Sequence, residues 1–274
     1  MLFVIKDTLN WRLFMNKDYI EKFTGIADIY EDGRPLYHRD ILPRILNECK
    51  LNENSVIVDV GAGNGLLTSM LVYLPHKVIY GVEPNDDMRR VFCSKFPATS
   101  TVKAIDSTAE DLSMFEDNSV DVITVGQALH WFSVEKFHKE CHRVLKKDGK
   151  LVLVYNSRKT SSKFAQNMIL FLRTMCPKFS SYTGGLNFAE SWRDILFERC
   201  IVEYIDRPQF FDKEEWVNRN LSSSYTLRPG DTGYEKMIRG FKDLFDEYNK
   251  DGIIELENNT VLYIGTLRKP NYPS

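Results

Sequence analysis

The stretch Ser55 to Gly65, SVIVDVGAGNG, limits what this chain can fold into more than any other. Val56, Ile57, Val58 and Val60 form an apolar run rich in β-branched side chains, as expected of a strand buried on both faces of a parallel sheet. Asp59 interrupts the run. Gly61, Gly63 and Gly65 then stand at alternate positions, where the missing Cβ lets the backbone turn sharply and come close to a ligand. Leu66, Leu67, Met70, Leu71 and Leu74 follow at helical spacing, so the loop is expected to deliver the chain into a helix. A strand, a glycine turn and a helix in that order suit a nucleotide cofactor.

The dinucleotide fingerprint G-x-G-x-x-G would need glycine where this chain has Leu66. What stands here, D-x-G-x-G-x-G, resembles the first motif of the class I S-adenosylmethionine-dependent methyltransferases, and the resemblance implies cofactor contacts at Asp59, Gly61, Ala62 and Gly63. Lys77 to Val82 reads as a second strand with Glu83 at its end. An ionised carboxylate there accepts hydrogen bonds from both hydroxyls of a ribose, which a nicotinamide cofactor would require equally. Pro84-Asn85-Asp86-Asp87 starts a helix with proline and acids in its first turn, and Met88 is expected against the adenine.

A third strand near Thr101 to Ile105 leads into a turn that resembles the adenine-contact turn of the same family, with Thr108, Ala109 and Glu110 as its candidates. Ser119 to Val125 is the fourth strand, followed by Gly126-Gln127-Ala128-Leu129-His130-Trp131-Phe132. The A-L-H-W-F run resembles the type 11 group of methyltransferases that act on small acids and acyl carriers, such as those related to trans-aconitate and malonyl-acyl-carrier-protein methyltransferase. It implies a cofactor contact at Gln127. His130 is the candidate base, since histidine takes up a proton near neutral pH; a structural histidine beneath a cap is the alternative. Upstream, the run holding Tyr30, Arg34, Pro35 and Tyr37 resembles a segment that such enzymes lay over the cofactor, which adds Tyr30 and Arg34.

Ser133 is placed to cap the next helix, Lys150 to Tyr155 is the fifth strand, Arg199 to Ile205 the sixth, and Thr260 to Leu267 the last. Strands alternating with helices imply an α/β fold with a doubly wound parallel sheet. The resemblance, specific over about residues 20 to 156, implies the Rossmann-like seven-stranded form with an antiparallel last strand. The expected organisation is a helical segment over 1–54, a cofactor-binding core over 55–156, an inserted cap over 157–197 and a C-terminal completion of the sheet over 198–274 with a lid loop and a helix, the Ser222 to Gly230 loop joining the cap on the substrate side. Within the cap a helix is expected from Phe164 to Met175, then a loop at Gly184-Gly185 and an amphipathic turn from Trp192 to Phe197.

Charge and cysteine usage narrow the partners. Lys and Arg number 36 against 38 Asp and Glu, a net charge of −2, so there is no basic surplus for gripping nucleic acid phosphates. The 5 cysteines are scattered without a C-x-x-C pair, which suits reduced thiols in the cytoplasm rather than a disulfide framework. Lys6 and Asp7 end the apolar start too early for a secretion signal, and no stretch is long enough to span a membrane. His138 and His142 sit four apart, but Glu140 is at the wrong offset for a zinc motif, and both histidines are expected on the wet flank of their helix.

The expected activity is therefore methyl transfer from S-adenosylmethionine to a small molecule, with a nicotinamide-dependent oxidoreductase and a non-catalytic nucleotide-binding regulatory module as alternatives. Arg158, Tyr225 and Arg228 are the substrate candidates, because a guanidinium can hold an acidic acceptor through two parallel hydrogen bonds.

Overall fold

A computed structural model describes residues 36–97, 100–182, 184–223 and 225–272; Tyr30, Arg34 and most of the expected N-terminal segment lie outside them. The glycine-flanked run forms β1 (Val56–Val60) at the centre of the sheet. β2 (Val78–Val82), β3 (Val102–Ile105), β4 (Val120–Gly126) and β5 (Leu145–Arg158) run parallel to it. β6 (Phe197–Asp206) forms the far edge. The strand that closes the chain, Asn258–Leu267, is antiparallel to both of its neighbours, β5 and β6. Counting the small hairpin strands β7 (Gln209–Phe211) and β8 (Ile254–Leu256), it is β9, and the sheet order is β3-β2-β1-β4-β5-β9-β6. The expected seven-stranded, mostly parallel Rossmann-like sheet is what the chain builds.

Alternation along single strands explains the two covered faces. Val58, Ile123, Leu153 and Tyr263 point into one apolar cluster, whereas Ile57, Val122, Val152 and Leu262 point into the other. The first is closed by α4 (Val134–Val144) and α6 (Gly184–Leu196), through Phe137, Cys141, Leu186 and Ala189. The second is closed by α1 (Ile41–Cys49) through Ile41 and Ile45, by the short α2 (Thr68–Leu71), and by Phe92 of α3 (Asp86–Lys95).

Three expectations about local structure need correction. The helix after the glycine loop spans only four residues, because residues 64–67 are turns that carry Leu66 and Leu67 to the sheet. Gly184 and Gly185 open α6 instead of breaking a loop. Gly185 is there for contact: a Cβ on it would stand 3.2 Å from His130 Nδ1 and 3.4 Å from the Tyr155 ring. His138 is not on a wet flank. It is 1% exposed, its Nδ1 lies 2.6 Å from the Tyr272 hydroxyl, and burial pulls its pKa down to about 4.

The cap draws on both of the expected segments, 157–197 and 198–274. A third core joins α5 (Lys163–Met175), α7 (Lys213–Leu221) and α8 (Tyr234–Tyr248), with Met168, Leu172, Trp216, Phe241, Phe245 and Ile254 at its centre. Trp216 is fully enclosed and donates its indole N–H to Phe241 O at 3.0 Å. The β7–β8 hairpin completes this unit. α6, which lies between α5 and β6 in the chain, packs on the sheet instead.

Candidate active site

The strand order reverses between β1 and β4, so a crevice is expected at their carboxyl ends. Gly61 N and Ala62 N both donate to Val82 O, at 2.9 and 3.1 Å, folding the loop back over the end of β2. Gly61 and Gly63 have φ of 66° and 57°, a region that side chains with a Cβ adopt only with strain. Their surroundings differ. A Cβ on Gly61 would stand 2.7 Å from Ala128 Cβ, whereas one on Gly63 would meet nothing within 4 Å. Gly63 thus faces open space, with its N–H donating to Glu83 Oε2 at 2.8 Å.

Glu83 ends β2 at 8% exposure, and its other oxygen accepts from Asn85 N at 2.9 Å. Burial pushes its pKa up, with the two N–H donors and nearby Arg89 opposing. Arg89 donates to Glu83 O at 2.9 Å and pairs with Asp86 and Asp106, fixing the strand end from behind. Asn85 caps α3 by accepting from Met88 N at 2.9 Å. Met88 itself is buried, so its side chain supports the site from within the core.

Asp59 takes a different part from the cofactor contact the motif implied. It is 1% exposed, and its oxygens accept from the hydroxyls of Thr68 (2.5 Å) and Thr124 (2.7 Å). One buried carboxylate therefore ties β1, α2 and β4 together beneath the glycine loop. Burial pushes its pKa from 3.8 up to about 6, against the two hydroxyls and with Glu83 adding to the rise. A pKa raised by folding contributes stability below pH 3.8, and that contribution is lost as pH rises through about 6. Relative to Asp59→Asn, the wild type should lose about 2–4 kcal/mol across that window. Urea denaturation at its two ends measures the difference; parallel profiles would mean that Asp59 does not titrate there.

The adenine-turn candidates also divide. Ala109 is buried in the first core cluster. Glu110 Oε1 accepts from Ser133 N at 2.6 Å, which gives the N-terminus of α4 the carboxylate partner that Ser133, at the N-cap position without a side-chain bond, does not supply. Thr108 turns the chain, its O accepting from Asp111 N. Gln127 lies at the end of β4 with φ of 52°, and its Oε1 accepts from Asn156 N at 2.8 Å. Asn156 in turn accepts from Thr260 Oγ1, whose oxygen also takes His38 N–H, so the ends of β4, β5 and β9 and the incoming chain form one ledge. Tyr37, at the end of the run expected over the cofactor, brings its hydroxyl to this ledge, where a Cβ on Gly126 would stand 2.9 Å from it.

His130 occupies a 3-10 turn (Leu129–Trp131) just past the ledge, half-buried, its ring 4.6 Å from that of Trp131 and covered by Gly185. Arg158, at the end of β5, stacks its guanidinium 3.8 Å from the centroid of the Tyr182 ring. Tyr182 and Tyr225 both pack on Phe179, with centroids 5.0 Å from it, so Arg158 and Tyr225 share one aromatic cluster. Arg228 does not join it. Its guanidinium donates to Leu221 O (2.9 Å) and Ser223 O (3.3 Å) at and just past the end of α7, carbonyls that also accept from the Thr226 hydroxyl. Among the described residues there is no group of three or more His, Cys, Asp or Glu arranged to hold a metal, and no helix long and apolar enough to cross a membrane.

The glycine loop and the buried acid thus meet at the switch point of the sheet, where doubly wound sheets place their ligands. A family model described as a methyltransferase domain matches residues 58–153. An uncharacterized methyltransferase of Schizosaccharomyces pombe is 40% identical over 203 residues, covering 72% of this chain and 79% of that protein. Among solved structures, one described as a type II methyltransferase from Anaeromyxobacter dehalogenans superposes with a TM-score of 0.59 at 15% identity, over 85% of this chain and 97% of that one. A Haemonchus contortus phosphoethanolamine N-methyltransferase, bound to phosphomonomethylethanolamine and S-adenosylhomocysteine, gives 0.51 at 14% identity, over 93% and 60%. The chain belongs to the class I S-adenosylmethionine-dependent methyltransferases.

Proposed function

We propose that this chain methylates a small molecule, gripping S-adenosylmethionine at the carboxyl ends of β1, β2 and β4 and the acceptor beneath the cap. The observation that carries the reading is the open space on the Cβ side of Gly63, beside a Glu83 carboxylate held in place by Gly63 N and Asn85 N. Gly61, Ala62 and Gly63 would hold the amino-acid portion of the cofactor, Glu83 the ribose, and Thr108 and Ala109 the purine edge.

When bound, the cofactor supplies a methyl group already activated as a sulfonium, so the protein's task is to align the acceptor and exclude water. The ledge of Gln127, Asn156 and Thr260 fixes the height at which an acceptor sits. α6 closes one side through Gly185. His130, between them, would take a proton from an acceptor that arrives protonated. A cytoplasmic setting agrees with scattered thiols, of which Cys141 and Cys176 are buried.

A thermal-shift panel tests the reading. S-adenosylmethionine and S-adenosylhomocysteine should both raise the melting temperature, since a ligand at about a hundred times its Kd adds about 2.7 kcal/mol to the native state. NAD should leave it unmoved. Stabilisation by NAD alone would return the nicotinamide alternative, and cofactor binding with no turnover across an acceptor library would favour the regulatory module.

A further inference from the structure

At the ends of β5 and β6, beside the start of β9, two arginines, Arg158 and Arg207, each bury one guanidinium nitrogen that has no hydrogen-bond partner among the described residues. Arg158 pairs across the sheet with Asn258 in β9. Arg207 N donates to Asn258 O at 2.7 Å on the opposite edge of β9, continuing the Asp206–Asn259 register by one residue. Arg158, Asn258 and Arg207 therefore form one transverse row, and residues in one row project to one face. Two strand spacings of about 4.8 Å put the arginine Cα atoms roughly 10 Å apart, within reach of a common ligand for two long side chains.

The neighbouring rows show which face this is. Lys159 and Asp206 both project to the other side, where they make a 2.7 Å salt bridge. On that face the cation is neutralised. On the Arg158–Arg207 face, among the described residues, neither arginine has an ion pair, and Nη1 of each is buried without a hydrogen bond. Burial alone pulls the Arg207 guanidinium down, with no carboxylate offsetting it. Removing a guanidinium nitrogen from water without a partner is unfavourable, and two such groups in one row are explained by an anion that completes both.

The row also lies beside the proposed acceptor site. Gln127 fixes Asn156, and Arg158 is two strand residues further on, roughly 7 Å beyond the ledge. Stacking on Tyr182 holds the Arg158 plane still.

We propose that Arg158 and Arg207 together bind a carboxylate or phosphate group of the methyl acceptor. This rests on the methyltransferase reading for the word acceptor, but not for the anion site itself. No sequence motif marks Arg207; only the β6–β9 register brings it level with Arg158.

The test uses the full chain with inorganic phosphate and with glutarate as separate probes, at constant ionic strength, read by thermal shift and by calorimetric titration with and without S-adenosylhomocysteine. The wild type should be stabilised by one or both probes at millimolar concentration, and the better probe distinguishes a phosphate from a carboxylate acceptor. Arg158→Met and Arg207→Met should each weaken that probe about tenfold or more, as expected for hydrogen bonds to a charged group. Each should leave S-adenosylhomocysteine affinity within about twofold, and each should raise the melting temperature without added anion, because an unpaired buried cation has been removed.

A wild type that responds to neither probe, or variants that respond as the wild type does, would overturn the site. Variants that lose stability yet keep the anion response would assign the arginines to packing, which also overturns it. Arg158→Lys and Arg207→Lys keep the charge and cover the case in which a methionine variant fails to fold; they should retain part of the response. If anion binding behaves as described but S-adenosylhomocysteine does not bind the wild type, the methyltransferase reading fails and the anion site stands.

Discussion

Gly63→Ala is expected to leave the protein folded while weakening S-adenosylhomocysteine binding, and Gly61→Ala to destabilise the fold itself. Both glycines have positive φ, so an alanine at either position carries the left-handed backbone penalty of about 1–2 kcal/mol. At Gly63 that is the whole cost to the fold, since the added methyl meets no protein atom within 4 Å. The methyl would instead occupy the space assigned to the cofactor. A methyl forced into a filled contact costs about 1–3 kcal/mol, which corresponds to a fall in affinity of roughly fivefold to 150-fold.

At Gly61 the methyl would stand 2.7 Å from Ala128 Cβ and 3.0 Å from the Phe132 ring, and both belong to the packed core. Overpacking then adds to the backbone penalty, for a total loss of about 2–5 kcal/mol. Urea denaturation and calorimetric titration on both variants separate the two effects. Undiminished affinity in a folded Gly63→Ala would move the cofactor away from the loop.

The strands of this fold were legible because parallel strands covered on both faces need apolar, β-branched runs, and Val56–Val60 and Val120–Gly126 supply them. The position and direction of β9 were not. They follow from pairing between segments a hundred residues apart, and the resemblance rather than the residues carried that expectation. Gly184-Gly185 misled for a related reason. Local propensity puts two glycines in a loop, whereas here Gly185 is the residue that lets α6 approach His130 and Tyr155. The cap core was equally hidden, because its halves, α5 and α8, are separated by α6 and β6, which belong to the sheet.

The site residues were legible as types more than as roles. Glu83 could be chosen for its place at the end of a strand. Which partner a buried polar group takes depends on what folds against it, so Asp59 faces two threonines, Glu110 a helix N-terminus and Arg228 a helix C-terminus. His138 was misjudged in the same way. Nothing in its helix announces that Tyr272, far along the chain, will cover it.

Glu83→Ala should reduce both cofactor affinity and stability. From the sequence alone a change in affinity with little change in folding would be expected, as for a carboxylate standing free at a strand end. The structure alters that expectation, because the two oxygens accept from Gly63 N and Asn85 N and the side chain is nearly enclosed. Alanine leaves both N–H groups without their acceptor, at about 1–3 kcal/mol for a buried donor, reduced where water enters the space the carboxylate vacates. Loss of the ribose contact should weaken S-adenosylhomocysteine by a further 1.5–3 kcal/mol, about tenfold to a hundredfold.

Glu83→Gln separates charge from shape, and pH gives the sign. Folding raises the Glu83 pKa, so protonation favours the unliganded fold, and wild-type stability relative to Glu83→Gln should fall as pH rises through that raised value. Cofactor affinity should move the other way, since only the ionised carboxylate offers acceptor sites to both hydroxyls: it strengthens with pH in the wild type and stays flat in the glutamine variant. Opposite pH trends for stability and affinity would place one carboxylate under both demands. Identical trends in wild type and variant would show that Glu83 stays in one protonation state throughout and that its hydrogen bonds to the glycine loop, not its charge, are what the site uses.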